Sequence, residues 1–168
     1  MKLDEFLQQN TVFTVKELDR FLSERGSGNP NTRRSLLTYY RKKGRIIPIR
    51  RGLYATVPLG GDPQSSPVDP YLVAAKLIPD AVLAYHTALE FHGKAYSVYM
   101  QFHSVSAKKS TPLTFQGHVF IRAPVPPALV AKGEEMFGVF HRNRSGVEMR
   151  VTNLERALVD VLDRPDLG

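Results

Sequence analysis

Apolar positions recur at helical spacing three times in the first 45 residues. Leu3, Phe6 and Leu7 predict a short helix over 3–9. Leu18, Phe21 and Leu22 predict a second, and Leu36, Leu37 and Tyr40 a third. The period then changes. Ile46-Ile47-Pro48-Ile49 and Leu53-Tyr54-Ala55-Thr56-Val57 read as two strands of a hairpin that turns at Arg50-Arg51-Gly52. Thr11-Val12-Phe13-Thr14 reads as a short extended piece between the first two helices.

Local signals bound these elements. Thr14-Val15-Lys16-Glu17 is a capping box, in which the hydroxyl and the carboxylate each satisfy a free backbone donor. That helix runs to about Arg25 and stops at Gly26. Asn29-Pro30 opens the third helix, with Asn as cap and Pro in the first turn, where its missing N–H costs nothing. Gly44 ends it after Arg41, Lys42 and Lys43, three cations well placed against the helix dipole.

Pro58 to Pro70 holds four Pro, two Gly and two Ser and reads as a linker. Beyond it, Asp69-Pro70 caps a helix to about Leu77. A short strand and a helix follow over 81–92, ending at Gly93. Strands are predicted at about 96–104 and 114–122, and a hairpin over 137–151 turns at Asn143-Arg144-Ser145-Gly146. Thr152-Asn153-Leu154-Glu155 reads as a second capping box. It opens a helix with Leu154, Ala157, Leu158, Val161 and Leu162 on one apolar face. The chain ends about six residues later and is expected to be truncated at its C-terminus. The fold class is therefore α+β. A winged helix-turn-helix domain over 1–57 is followed by a linker over 58–70 and a small mixed α/β domain over 71–168.

Charge sharpens this picture. The net charge of the chain is +7. Residues 1–57 hold 12 Lys and Arg against 5 Asp and Glu, so the whole excess lies there. The stretch 29–57 holds eight cations and no acid. One-signed charge of this kind suits a polyanion. At about 100° per residue, Asn31, Ser35, Thr38 and Lys42 face away from Leu36, Leu37 and Tyr40, and Arg34, Tyr39 and Arg41 lie on the flanks. Arg33 falls on the buried side and is expected to pair with Glu17 or Glu24. Three helices and a hairpin in this order place the third helix in the major groove and the hairpin along the backbone or minor groove. The candidate DNA-binding residues are Asn31, Arg34, Ser35, Thr38, Tyr39, Arg41, Lys42, Lys43 and Arg45, with Arg50 and Arg51 at the wing. No solvent-facing aromatic platform for stacked RNA bases is evident.

Other chemistry finds little support. The absence of Cys excludes disulfides and thiolate metal ligands. It fits a reducing, cytoplasmic setting. The N-terminus has no signal-peptide pattern, and no apolar run reaches a membrane span. His86 and His92 lie about 240° apart on a helix and cannot chelate one metal, and His103, His118 and His141 fall on separate strands. No G-x-S-x-G and no P-loop is present. Gly60-Gly61-Asp62 lies in the linker. Asp80 and Glu90 lack the accompanying Glu-x-Lys of a nuclease strand. No catalytic residue, metal or cofactor is expected.

Three segments carry a family resemblance: Arg51-Gly52-Leu53-Tyr54-Ala55, Tyr85-His86-x-Ala88-Leu89-x-x-His92-Gly93, and Thr152-x-Leu154-Glu155-Arg156-x-Leu158-x-Asp160. In this order they resemble the AbiEi-type antitoxins of bacterial abortive-infection, type IV toxin–antitoxin pairs. The resemblance implies a winged-helix domain that binds inverted repeats in its own promoter as a repressor. It also implies a C-terminal α/β domain needed for antitoxicity. The implied partner is a nucleotidyltransferase-like toxin, countered without a stable complex. Members of the family usually continue past Arg164-Pro165-Asp166-Leu167-Gly168 with further helices. Two other classes compete with this reading: a metal-dependent nuclease targeted by the winged helix, and a non-enzymatic interaction module whose basic helix binds an acidic protein.

Overall fold

A computed structural model describes residues 2–168. The chain divides into two compact units, one ending at Val68 and the other beginning at Asp69. Its described residues make seven α-helices and two sheets, an α+β architecture.

The first unit contains α1 (Lys2–Gln9), β1 (Val12–Thr14), α2 (Val15–Glu24), α3 (Pro30–Lys42), β2 (Ile46–Arg50) and β3 (Leu53–Thr56). The three strands form one antiparallel sheet in the order β1-β3-β2. The extended piece before α2 thus closes the sheet, with Val12 opposite Ala55 and Phe13 opposite Tyr54. This is winged-helix topology. The core gathers Leu3, Phe6 and Leu7 from α1, Phe13, Leu18 and Leu22, then Tyr40 and Ile46. Burying each such side chain is worth about 1.5–3 kcal/mol. Phe6 meets Phe13 edge to face at 5.2 Å.

Capping sets where the helices begin and end. The Thr14 N–H donates to the Glu17 carboxylate at 2.7 Å, and the Glu17 N–H donates to the Thr14 hydroxyl at 3.3 Å. After α3, the Gly44 N–H reaches the Arg41 carbonyl and the Arg45 N–H reaches that of Tyr40, a Schellman stop. Gly44 has φ +67, and a Cβ there would lie 2.8 Å from the Pro63 ring. That contact bears on the segment expected to be a linker. Residues 58–68 are folded with the first unit rather than free of it: Ser66 is buried, and Asp62 accepts bonds from the Gln64 N–H and the Ser65 hydroxyl. Pro and Gly here build tight turns against a protein surface.

The second unit contains α4 (Pro70–Leu77), β4 (Val82–Leu83), α5 (Tyr85–Phe91), β5 (Gln101–Val105), β6 (Leu113–Phe115), β7 (His118–Ala123), α6 (Pro127–Lys132), β8 (Val139–Arg144), β9 (Val147–Thr152) and α7 (Leu154–Asp163). Its six strands run β6-β7-β5-β4-β9-β8, with β5–β7 and β4–β9 parallel and the other pairs antiparallel.

Three expectations need correction in this unit, and one helix is additional. The strand expected from 96 begins only at Gln101. The strand expected over 114–122 is a hairpin turning at Gln116-Gly117. Helix α6 was not anticipated, because six residues opened by Pro carry too little periodicity. The second capping box does not form. Asn153, not Thr152, caps α7, accepting from the Arg156 N–H at 2.8 Å, while Thr152 is the buried last residue of β9.

Helix α7 also turns differently from its apolar pattern. Ala157 is buried, but so are Arg156 and Asp160, whereas Leu158 and Leu162 are exposed. The guanidinium of Arg156 explains the rotation. It donates through one Nη to the backbone carbonyls of Glu135 and Phe137 at 2.9 and 2.5 Å, and Asp160 lies 3.4 Å from its Nε, so this cation has partners inside the unit.

Candidate nucleic-acid interface

Helix α3 starts where the Asn29 side chain accepts from the Asn31 N–H at 2.8 Å. From there it buries Tyr40 and half-buries Leu36 and Leu37. The other side faces solvent: Asn31, Arg34, Ser35, Thr38, Tyr39, Arg41, Lys42 and Lys43 are all exposed. Lys43 Nζ lies 5.8 Å from the Tyr39 ring, within cation–π range.

Two of the cations in this stretch turn inward. Arg33 donates to Asp19 at 2.6 Å. Its partner is therefore on α2 as expected, but at a different position. The Glu17 carboxylate is held by Thr14, and Glu24 is exposed in the last turn of α2. Arg45, expected among the DNA contacts, has a side chain only 17% exposed. Its guanidinium lies 3.3 Å from Asp4 on α1, with Nε directed at the Val57 carbonyl. It ties α1 to the base of the hairpin. Tyr40 shares Asp4 through a longer 3.5 Å bond. Burial and then the Asp4 carboxylate push the Tyr40 hydroxyl above its ordinary range, so it stays neutral.

The hairpin turns on Arg51-Gly52, with Gly52 at φ +82, a conformation that favours Gly at the second turn position. The turn is anchored by the Val15 N–H, which donates to the Gly52 carbonyl at 2.9 Å. This bond places the tip beside the start of α2. Arg50 and Arg51 are exposed there. Between hairpin and helix lies a cleft of about 550 Å³, lined by Asn31, Arg34, Thr38, Arg41 and also the partly exposed Arg33 on one side, and by Arg51, Gly52 and Tyr54 on the other. A second hollow of about 510 Å³ lies along the opposite flank of α3, between Asn31, Ser35 and Tyr39. Helix α3 therefore stands as a ridge between two concave surfaces. Lys42 and Lys43 line neither hollow and continue the ridge at its C-terminal end. Among the described residues, Arg34, Arg41, Lys42 and Arg51 make no ion pair with the protein's own carboxylates. A rigid ridge with cations uncompensated by its own acids attracts a polyanion.

Residues 1–57 match the family model described as transcriptional regulator, AbiEi antitoxin. Over that stretch the chain is similar to the AbiEi regulators. The match covers the first third of the chain and ends with the hairpin. No curated protein matches the chain. The match agrees with the resemblance read from the residues and includes the Arg51–Ala55 segment that helped to carry it. Tyr54 and Val15 in the cleft wall were not anticipated. Both follow from the pairing of β1 with β3: Tyr54 stacks on the buried Phe13 and packs at the edge of the core, and Val15 is held by the Gly52 carbonyl.

In the second unit the histidines serve packing. His86 Nε2 lies 3.0 Å from the Ser97 carbonyl, and its ring stacks on Tyr99 at 3.8 Å. His92 Nε2 lies 2.8 Å from the Thr152 carbonyl. His141 pairs with Glu148 across β8 and β9. Burial lowers the His103 pKa. Asp80 accepts from the Ser106 hydroxyl at 2.5 Å and the Ala107 N–H at 3.0 Å. Burial works to raise its pKa, but these two bonds outweigh it and hold the carboxyl below its ordinary value. Glu90 sits 3.7 Å from His86. Burial, then Glu90, pushes the Tyr71 hydroxyl up to about 12. Among the described residues, no three His, Asp or Glu side chains are placed to share a metal, and no helix is long and apolar enough to cross a membrane.

Proposed function

We propose that this protein is a cytoplasmic, non-enzymatic repressor of its own promoter and the antitoxin of a type IV pair. Helix α3 enters the major groove of an inverted-repeat half-site. Arg34, Thr38 and Arg41 face base edges and phosphates, and Lys42 and Lys43 meet backbone phosphates. Asn31 sets the start of the helix, with Ser35 and Tyr39 on the second flank. Arg50 and Arg51 at the hairpin tip follow the backbone or the minor groove. A nucleotidyltransferase-like toxin is the functional partner, countered without a stable complex.

The observation that carries this reading is the gathering of Arg34, Thr38, Arg41 and Arg51 around one open cleft, with no ion pairs to the protein's own acids among the described residues. Titrating the chain against a labelled duplex of its upstream region tests it. Tight binding to that duplex is expected, with weak binding to scrambled DNA. Equal affinity for both would remove the repressor reading. Rescue of growth from a toxin encoded beside it tests the antitoxin role.

A further inference from the structure

Helix α7 carries apolar side chains on the outside and charges within. Leu158, Val159 and Leu162 are 49, 64 and 80% exposed, while Arg156 and Asp160 are buried. Helix α6 buries none of its residues, and Phe137 between α6 and β8 is 65% exposed. Between the two helices runs a groove of about 610 Å³ whose apolar lining includes Leu129, Phe137 and Val159. Contiguous exposed apolar surface of this kind marks an interaction site.

The charges of the groove narrow the occupant. Its lining includes Glu155, Asp160 and Asp163, against Arg156 alone. That guanidinium is already engaged by the carbonyls of Glu135 and Phe137. Asp160 Oδ2 pairs with Arg156 Nε at 3.4 Å but makes no hydrogen bond, so this buried carboxylate oxygen at the groove still has capacity to accept one. Nucleic acid is repelled by this lining. A second copy is disfavoured too: pairing two α7 helices antiparallel sets Glu155 of one against Asp163 of the other. The remaining cation of the helix end, Arg164, is held by Asp166 at 2.7 Å.

We propose that the α6–α7 groove is a docking site for a basic amphipathic helix of a partner protein. Apolar side chains of that helix cover Val159, Phe137 and Leu129, and a Lys or Arg reaches Asp160 and Asp163. This is helix-in-groove recognition, with the acids selecting the sign of the guest.

The test uses the full chain and a fluorescein-labelled Leu/Lys peptide of about 14 residues, four helical turns, with Leu at i, i+3 and i+4. Binding near 10 µM is expected in an anisotropy titration, an ordinary affinity for one groove. The Val159→Arg and Asp163→Lys variants should each weaken it about tenfold or more, with unchanged circular dichroism. Asp163→Asn, a gentler change, should weaken it less. A matching Leu/Glu peptide meets the cations of α3 instead, so the Val159→Arg and Asp163→Lys variants should leave its binding no weaker than wild type. Wild-type binding of the Leu/Lys peptide by both of these variants overturns the proposal. A concentration-dependent dimer in sedimentation that Val159→Arg dissolves would hand the face to a second copy and also overturn it.

Discussion

Arg33 and Asp19 join α3 to α2 through a 2.6 Å bond, although Arg34, the next residue, points to open solvent. Neighbouring arginines thus do different work. The first ties α3 to α2, and the second makes no ion pair with the protein's own acids among the described residues.

That difference is measurable. Arg33→Ala should lower the stability of the first unit by about 0.5–1 kcal/mol, since the pair is partly exposed. Arg45→Ala should also cost stability, because it removes the 3.3 Å tie between Asp4 on α1 and the base of the hairpin. Arg34→Ala should leave stability within about 0.5 kcal/mol of wild type. Urea unfolding separates the three.

DNA affinity should follow the reverse order. Arg34→Ala and Arg51→Ala should each weaken operator binding by about 1–3 kcal/mol if they read bases, or reduce the salt slope by about one if they meet phosphate. With about six phosphates neutralised, affinity should fall as roughly the fifth power of salt concentration. Wild-type anisotropy curves for both variants would remove α3 and the hairpin from the interface.

Helix α2 should be sensitive at its start. Thr14→Ala removes the hydroxyl that accepts from the Glu17 N–H, and should cost about 1 kcal/mol. Thr14→Ser should recover most of it. Thermal melts of the two variants check this.

The hairpin turn should resist β-branched residues. Nothing lies within 4 Å of a Cβ at Gly52, so sterics with neighbours are not the obstacle; its φ of +82 is. Gly52→Val should cost about 1–3 kcal/mol through backbone strain and weaken DNA binding by moving Arg51. Gly52→Asn should be milder on both measurements.

Acid should weaken the second unit through His103. It is 2% exposed and its Nδ1 has no hydrogen-bond partner, so burial holds its pKa below the ordinary value of about 6.5. The unfolded chain therefore binds the proton first. Stability is full above about pH 6.5 and is lost as pH falls from there through the folded-state pKa. Urea midpoints at pH 7.5 and 5.5 should differ less for His103→Leu than for wild type.

Much of the first unit was legible because its signals are local. Thr14 with Glu17, Asn29 with Pro30, and the glycines at 26, 44 and 52 act within a turn or two of the chain. Periodicity alone set the outward face of α3, and ten of the eleven candidate contact residues are exposed. Asp4 and Arg45 are 41 residues apart, and no local pattern announces that they meet.

The amino-acid order alone determined the confinement of the excess positive charge to residues 1–57. It also determined the helices of the first unit and the hairpin. These follow from backbone sterics, capping and the need to hide apolar side chains. Only the tertiary structure decided that β1 closes the sheet and pins the hairpin tip, that Arg45 faces Asp4, and that α7 buries Arg156 while exposing Leu162. Each of those depends on which distant carbonyl, carboxylate or strand edge is within reach. A guanidinium that finds two backbone carbonyls can take an inside place that hydrophobicity would have given to leucine.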